Sequence, residues 1–259
     1  MKLKDKVAIV TGGARGIGEA IVRAYAAEGA HVAVADVEIE LAQKLAAELG
    51  GKAMAVRVDV RDANSIEAGV ADVVAKLGGV DILVNNAAYT VGKALWTHVP
   101  DLTREQWDKG MAVNVTAPLM LIQGFWESMR ARGAGVVVNV TSGAAVPQAL
   151  DVGIGLSGST LGENGPIYGT TKAALNRMAN AIAHEGAPHR IAVINLDPGG
   201  VLTETMALTF ERQGVAGTNH MRPPSVPAKA IAYLCTCPDP LVYSGRVVSG
   251  PQLHDDLGL

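Results

Sequence analysis

Residues 6–18 read KVAIVTGGARGIG, and this stretch decides the fold. Residues 6–10 are a short apolar run typical of a buried strand, and a helical pattern begins at Gly16. Between them, the glycines leave room for a tight turn in which a pyrophosphate can approach the backbone. The helix terminus that follows offers free N–H groups to an anion. Strand, glycine turn and helix in this order predict a nucleotide-binding protein.

The rest of the chain repeats this alternation of apolar runs and helical patterns. Apolar runs predict six further strands, at residues 31–35, 53–58, 81–84, 135–140, 191–196 and 245–248. Helical periodicity predicts helices at residues 16–28, 38–49, 65–76, 103–132, 168–185 and 226–235. Strands that are apolar throughout and separated by helices indicate a parallel sheet covered on both faces. We therefore predict one α/β domain over residues 1–259, with a Rossmann-type, doubly wound, seven-stranded parallel sheet.

Composition restricts the classes of function. The chain has 259 residues, 49% hydrophobic and 18% charged, which is ample material for a large core. A net charge of −3 without basic runs argues against a nucleic-acid partner. Neither a membrane span nor a signal-peptide pattern is visible, so we expect a cytoplasmic protein. The six scattered histidines and the closely spaced Cys235 and Cys237 do not have the spacing of a metal site.

An acidic residue at the end of the second strand bears on the choice of nucleotide. The Asp36 carboxylate can accept hydrogen bonds from adenosine ribose hydroxyls, and it would repel a 2′-phosphate. Arg15 indicates the opposite preference, because a cation inside the glycine turn can bind a 2′-phosphate. We give Asp36 the greater weight and predict NAD(H) rather than NADP(H). The alternative role for Asp36 is to cap the helix that follows.

The chemistry is predicted from a tyrosine and a lysine one helical turn apart. Tyr168 and Lys172 occur as Tyr-Gly-Thr-Thr-Lys, and positions i and i+4 of a helix share a face. A phenol is a poor base at neutral pH, and a nearby ammonium lowers its pKa. The pair can therefore take a proton from an alcohol or return it to a carbonyl. Taken alone, the same spacing is also typical of ordinary helix surfaces.

Two polar residues add to this pair. Ser142 follows the fifth strand, where a hydroxyl can donate to a substrate oxygen as negative charge develops on it. Asn114 lies within the long helical region, where an amide is disfavoured, and this suits a local irregularity or a bound water. By itself, Ser142 could be a turn residue and Asn114 a solvated helix residue, so the prediction depends on the whole set.

Together these features resemble the short-chain dehydrogenase/reductase family, in its compact single-domain branch. The resemblance covers nearly the whole chain and rests on the order and spacing of its motifs. These motifs are TGGARGIG (11–18), Asp59-Val60, NNAA (85–88), Asn114, Ser142, Tyr168-x-x-x-Lys172, and Asp197-Pro198-Gly199 with Thr203.

The resemblance implies a role for each matching position. Tyr168 would be the general acid/base, and Lys172 would hold the nicotinamide ribose and lower the pKa of Tyr168. Ser142 would orient the substrate oxygen, and Asn114 would hold a water that relays protons. The residues implied to bind the cofactor are Gly12, Arg15, Gly16, Ile17, Gly18, Asp36, Val37, Asp59, Val60, Asn86, Ala87, Tyr168, Lys172, Pro198, Gly199, Val201 and Thr203. A homotetramer, joined through the long helix and the Tyr168 helix, is also implied.

The chain departs from the family pattern near the substrate. Between Ser142 and Tyr168 there are 25 residues, about twice the usual number. Both ends of residues 147–165 lie near the predicted site, so we expect this loop to form part of the pocket wall; the alternative is a surface excursion. Residues 203–227 are predicted to be irregular and to act as a lid. The apolar residues of that segment, which predict an apolar pocket edge, are Met206, Leu208, Phe210 and Met221. The fourth-strand motif NNAAY and the C-terminal SGPQLHDDLGL also differ from the usual family endings.

We therefore predict an NAD(H)-dependent oxidoreductase that interconverts a secondary alcohol and a ketone, of small to medium size and mostly apolar or cyclic. Two alternatives stay open. A nucleotide-sensing or scaffold protein on the same fold often lacks the tyrosine or lysine, whereas both are present in this chain. Sugar-nucleotide epimerase or dehydratase chemistry normally requires a longer chain and a different glycine spacing.

Overall fold

Buried aliphatic residues form a single parallel sheet in the computed structural model, which describes residues 1–89, 99–146, 165–213 and 221–259. The strand order is β3-β2-β1-β4-β5-β6-β7. The strands are β1 (Val7–Thr11), β2 (His31–Asp36), β3 (Ala53–Arg57), β4 (Ile82–Asn85), β5 (Gly135–Val140), β6 (Ile191–Asp197) and β7 (Val247–Ser249). The predicted Rossmann-type, seven-stranded parallel sheet is confirmed.

Helices connect the strands. They are α1 (Gly16–Ala27), α2 (Ile39–Glu48), α3 (Ala63–Leu77), α4 (Arg104–Met111), α5 (Ala117–Ala131), α6 (Gly165–Gly186), α7 (Glu204–Gln213), α8 (Ser225–Thr236) and α9 (Gly250–Leu257). Local sequence explains several of their ends. Asp62 caps α3 by accepting from the Asn64 N–H, and Thr103 forms a capping box with Gln106 at α4.

The sheet separates two hydrophobic layers because successive strand residues point to opposite faces. In β1, Val10 packs with α1, α2 and α8, whereas its neighbour Ile9 packs with α3, α5 and α6. The strand interiors are aliphatic on both faces, which explains the continuous apolar runs of the sequence. This arrangement leaves the carboxyl ends of the strands open to a ligand.

Three local predictions need correction. Residues 203–227 are not irregular throughout, because they contain α7, and Arg222 forms a β-bridge with Val201. The C-terminal helix α9 was not predicted, and its start is stabilised by the Ser249 side chain, which accepts from the Gln252 N–H at 3.3 Å. The last strand begins at Val247 rather than at residue 245, because Gly245 has a φ of 75° that a strand does not adopt.

Parts of two predicted segments lie outside the described residues. They are residues 147–164 of the predicted pocket loop and residues 214–220 of the predicted lid. Within the described ranges, no helix is both long enough and apolar enough to cross a membrane.

Candidate active site

A cleft of about 500 Å³ follows the carboxyl ends of the strands. Its lining residues come from the segments after β1 to β6, as the parallel topology requires. They are Gly12, Arg15, Gly16, Ile17, Asp36, Val37, Glu38, Val58, Asp59, Val60, Arg61, Asn86, Ala87, Ala88, Tyr89, Val113, Val140, Thr141, Tyr168, Lys172, Pro198, Thr203 and Thr205. We call the part after β2 and β3 the charged end, and the part around Tyr168, Lys172 and Thr141 the reactive end.

The glycine turn after β1 brings backbone close to the cleft at its glycine positions. Gly12 has a φ of 59°, which favours glycine, and a Cβ at Gly18 would lie only 2.0 Å from the Gly12 carbonyl oxygen. The Asn86 side chain donates to the carbonyl oxygens of Thr11 (2.9 Å) and Gly12 (3.0 Å), which fixes the turn. No side chain caps the amino terminus of α1. This cradle fits a phosphate group.

Asp36 joins the glycine turn to the start of α2. Its carboxylate accepts from the Ala14 N–H and from the Glu38 N–H, both at 3.0 Å. Burial raises the pKa of this carboxyl, and the Ala14 N–H and the Arg15 cation oppose that rise. The N-cap residue of α2 is Glu38, so Asp36 is not the helix cap, although it binds the backbone there. It lines the cleft where the sequence predicts a ribose-binding carboxylate.

Arginines at the charged end have acidic or carbonyl partners. Arg15 forms an ion pair with Glu38. The Arg61 guanidinium binds both oxygens of Asp59, at 2.8 and 2.6 Å, which lowers the pKa of that carboxyl. Arg57 donates to the Val37 carbonyl oxygen at 3.4 Å. Arg15 and Arg61 are therefore paired with carboxylates, and Glu38 and Arg61 were not predicted as site residues.

At the reactive end, Tyr168 and Lys172 lie together on α6, as predicted from their spacing. The buried Lys172 Nζ donates to the Val140 carbonyl oxygen at 2.8 Å and lies 5.8 Å from the centre of the Tyr168 ring. The Ser142 hydroxyl forms a hydrogen bond with Tyr168 that lowers the pKa of the phenol. The three predicted residues that would contact the reacting groups are thus brought together.

Burial shifts the pKa of Tyr168 and the pKa of Lys172 in the direction that favours the uncharged form of each group. It raises the pKa of Tyr168, and the Asp197 charge acts in the same direction. It lowers the pKa of Lys172 from 10.5 to about 8. Burial therefore opposes the lowering of the Tyr168 pKa that the sequence predicts, because the phenolate and the ammonium are both poorly solvated.

Asn114 lies in a π-helical turn, Ala112–Thr116, between α4 and α5. This confirms the local irregularity predicted at this residue. Its side-chain oxygen accepts from the Tyr89 N–H at 2.8 Å, and its Nδ2 donates to the Thr171 hydroxyl at 3.0 Å. That hydroxyl donates in turn to the Tyr168 carbonyl oxygen at 2.9 Å. Asn114 thus joins the segment after β4 to α6 but does not line the cleft, and its role in holding a water stays a prediction.

Buried amides hold the neighbouring strand ends together. Asn85 donates to Asn139 at 2.8 Å, and Asn139 donates to Asn195 at 3.1 Å, across β4, β5 and β6. These residues directly precede or underlie the cleft-lining segments, so the ladder fixes their spacing. Beside it, the buried Thr141 hydroxyl has no hydrogen-bond partner among the described residues. Thr141 is among the residues that line the cleft, but its Oγ1 atom is itself buried.

Most predicted cofactor-binding residues line the cleft, and the exceptions have structural explanations. Gly18 lies under the turn, and Gly199 lies against Pro251, which a Cβ would approach to 2.7 Å. Val201 is buried and forms the backbone bridge with Arg222. The lining residues that the sequence did not predict to bind the cofactor are Glu38, Val58, Arg61, Ala88, Tyr89, Val113, Val140, Thr141 and Thr205. Most of them adjoin predicted residues. Their position at the carboxyl end of a strand is therefore the sequence signal by which they could have been found. Across the described segments, no cluster of three side chains suits a metal ion.

Comparison with known proteins agrees with this geometry. Residues 6–214 match the short chain dehydrogenase family. The chain is 38% identical to sorbitol dehydrogenase of Cereibacter sphaeroides, over 78% of this chain and 72% of that protein. It is 37% identical to D-threitol dehydrogenase of Mycolicibacterium smegmatis (strain ATCC 700084 / mc(2)155), over 78% and 73% of the two chains.

Solved structures give the same result. L-Sorbose reductase from Gluconobacter frateurii, complexed with NADPH and L-sorbose, superposes with a TM-score of 0.82 and 27% identity, over 96% of this chain and 97% of that chain. A 3-ketoacyl-(acyl-carrier-protein) reductase from Brucella melitensis, complexed with NADH, gives a TM-score of 0.80 and 27% identity, over 95% and 97%. The predicted family is confirmed: this chain belongs to the short-chain dehydrogenases, a family of oxidoreductases that bind a nicotinamide cofactor.

Proposed function

We propose that this protein is an NAD(H)-dependent dehydrogenase that interconverts a secondary alcohol and a ketone. The observation that carries the proposal is that Tyr168 and Lys172 meet at the reactive end of the cleft, with the Ser142 hydroxyl bonded to Tyr168. A phosphate-sized backbone cradle lies at the start of the same cleft. An acid–base group and a dinucleotide cradle in one cleft suit hydride transfer to or from a carbon that bears oxygen.

The residues of the cleft fit the cofactor that the family uses. Gly12, Gly16 and Ile17 would hold the pyrophosphate through backbone N–H groups. Asp36 would accept from the adenosine ribose. When bound, the nicotinamide would accept or donate the hydride. In its oxidised form it would also supply a positive charge.

Residues of this chain would transfer the proton to and from the substrate oxygen. In alcohol oxidation, the Tyr168 phenolate takes the hydroxyl proton while the Ser142 hydroxyl donates to the substrate oxygen. In ketone reduction, the Tyr168 phenol returns that proton to the oxygen. Lys172, held by the Val140 carbonyl oxygen, places a positive charge near the phenolate and stabilises it when protonated.

The charged end favours NAD(H) over NADP(H). The Asp36 carboxylate lies where a 2′-phosphate would bring further negative charge. The arginines that line this end, Arg15 and Arg61, are paired with Glu38 and Asp59. One structural neighbour is complexed with NADPH and the other with NADH. The proposed preference for NAD(H) therefore rests on the local charges.

For the substrate, we propose a small polyol or its ketone. The names of the similar dehydrogenases, for sorbitol and D-threitol, support this class. Besides Thr141, whose hydroxyl is buried, the cleft-lining residues that carry a hydroxyl group are Tyr89, Tyr168, Thr203 and Thr205. Met206, Leu208 and Met221, on which the apolar prediction rests, are not among the described residues that line the cleft. An apolar or cyclic alcohol is the second class to test.

A substrate panel tests the proposal. Sorbitol, threitol, galactitol and glycerol, together with cyclohexanol and a bicyclic aromatic alcohol, are offered with NAD⁺ or NADP⁺ while the nicotinamide absorbance is followed. We expect turnover of at least one secondary alcohol, with NAD⁺ preferred. Tight NADH binding without turnover of any alcohol or ketone would favour a nucleotide sensor instead.

Two further predictions extend the proposal. A homotetramer, formed through α5 and α6, predicts a molar mass near four times 26.7 kDa in light scattering. A cytoplasmic location predicts recovery in the cytosolic fraction of the host cell.

A further inference from the structure

One ion pair at the charged end engages a cation that could otherwise bind phosphate. Arg15 is the N-cap residue of α1 and Glu38 that of α2, so each is anchored at the start of a helix. Their side chains meet in an ion pair, and both residues line the cleft. Each side chain stays about half exposed, at 47% and 45%, so a ligand in the cleft can reach either one.

We propose that Glu38 is a specificity-determining residue for the cofactor, which excludes a 2′-phosphate by occupying Arg15. The inference rests on the proposed function, because it requires a nicotinamide dinucleotide in this cleft. It adds to the role of Asp36 a second carboxylate that acts by a different mechanism.

The surroundings of the pair support this role. A guanidinium binds phosphate in the same two-pronged way as it binds carboxylate, so Glu38 and a 2′-phosphate compete for Arg15. Arg61, the other arginine in the cleft lining, is held by both oxygens of Asp59. A 2′-phosphate would therefore have to break an existing ion pair before it gained one of these two cleft-lining arginines. Arg57, which donates to the Val37 carbonyl oxygen, is not among the lining residues.

The two carboxylates can be told apart. Asp36 acts on a 2′-phosphate directly, because like charges repel whatever Arg15 does. Glu38 acts through Arg15, so its effect on NADPH must disappear when Arg15 is removed. This dependence gives the proposal a result that a general effect of negative charge would not produce.

The experiment measures dissociation constants of NADH and NADPH, by nucleotide fluorescence, for the wild type, Glu38→Gln, Arg15→Met and the double variant. We expect Glu38→Gln to tighten NADPH about fivefold, with NADH unchanged within about twofold, since half-exposed ion pairs are weak. In the Arg15→Met background, Glu38→Gln should leave the dissociation constant of NADPH unchanged. The control is Glu48→Gln, which breaks the similarly exposed Arg23–Glu48 pair on another surface of the protein and should change neither constant.

Two results would overturn the proposal. One is a dissociation constant of NADPH that Glu38→Gln leaves unchanged. The other is an equal gain in NADPH affinity from Glu38→Gln with and without Arg15. A wild type that prefers NADPH, yet gains further from Glu38→Gln, contradicts the proposed NAD(H) preference but supports the role of Glu38. A wild type that binds neither nucleotide overturns both proposals.

Discussion

The two ends of the cleft use charge in opposite ways. At the reactive end, Lys172 is 3% exposed and donates to a backbone carbonyl, and burial lowers its pKa to about 8. At the charged end, Arg15 and Arg61 stay half exposed and bind carboxylates. Burial brings the pKa of Lys172 into the accessible range, although it raises that of Tyr168, whereas the arginines of the charged end are solvated and ion-paired.

The contrast in solvation indicates which variants should have large effects and which small ones. A poorly solvated group changes its free energy strongly when its charge or its neighbour's charge changes. A solvated ion pair contributes little to stability and acts mainly on the choice between ligands. We therefore expect variants at the reactive end to change turnover, and variants at the charged end to change the cofactor ratio.

Apart from removal of the Tyr168 hydroxyl, the largest effect is expected for Lys172→Met, which keeps the length of the side chain but removes the ammonium. Turnover should fall about 10²- to 10⁴-fold, because the phenolate of Tyr168 loses its positive neighbour. Steady-state kinetics with the best alcohol of the panel measure this loss. If turnover falls less than about tenfold, the two ends do not differ as proposed.

A clash in the glycine turn should come next. Gly18→Ala brings a Cβ to 2.0 Å from the Gly12 carbonyl oxygen, so the turn must shift. We expect a loss of about 1–3 kcal/mol in the free energy of unfolding and weaker NADH binding. Gly51→Ala is the matched control, since no atom lies within 4 Å of its added Cβ. Equal urea midpoints for the two variants would contradict the cradle described for the turn.

The pKa of Lys172 predicts a dependence of stability on pH. Because its folded-state pKa is about 8 and its ordinary value is 10.5, the unfolded chain binds more protons between these values. The stability that Lys172 costs at neutral pH is therefore regained as the pH rises from about 8 to 10.5. Lys172→Met should be the more stable protein at pH 7, by about 1–2 kcal/mol after the lost hydrogen bond, and the difference should shrink by pH 10. Denaturant unfolding at both pH values checks the sign, and a constant difference would refute a buried ammonium.

The smallest effect is expected at the charged end. Asp36→Asn removes the negative charge with little change in shape, and NADP⁺ should gain on NAD⁺ by about tenfold in kcat/KM. The total activity with NAD⁺ should also fall, because an amide has one acceptor oxygen and can keep only one of the two hydrogen bonds from the Ala14 and Glu38 N–H groups. An unchanged cofactor ratio would mean that Asp36 serves only to fix the turn.

The fold was largely predictable because its information is local. Continuous aliphatic runs specify buried parallel strands, and the glycine turn has few other uses between a strand and a helix. Helix α9 was missed although Ser249 and Pro251 are a recognisable start signal, because its first residues resemble a loop. The residue pattern alone thus predicts the strands of the sheet more completely than it predicts the last helix of the chain.

The site was only partly predictable because several of its contacts join distant segments. The sequence identified Tyr168 and Lys172 from one helical turn, and the irregular turn at Asn114 from a disfavoured amide. It could not show that Asn114 binds the Tyr89 backbone, or that Glu38 reaches Arg15. Such pairs depend on where two elements meet, and burial of Lys172 depends on the whole fold.

The most direct test of the central claim compares NADH binding and turnover in the wild type and in Tyr168→Phe. Removal of the phenol hydroxyl should abolish at least 99.9% of turnover, roughly a 10³-fold loss, and leave the NADH dissociation constant unchanged within about twofold. Tyr25→Phe, which removes a buried hydroxyl next to Cys235, is the control and should retain activity. Retention of more than about a tenth of the turnover by Tyr168→Phe, with NADH still bound, would contradict the assignment of Tyr168 as the acid–base group.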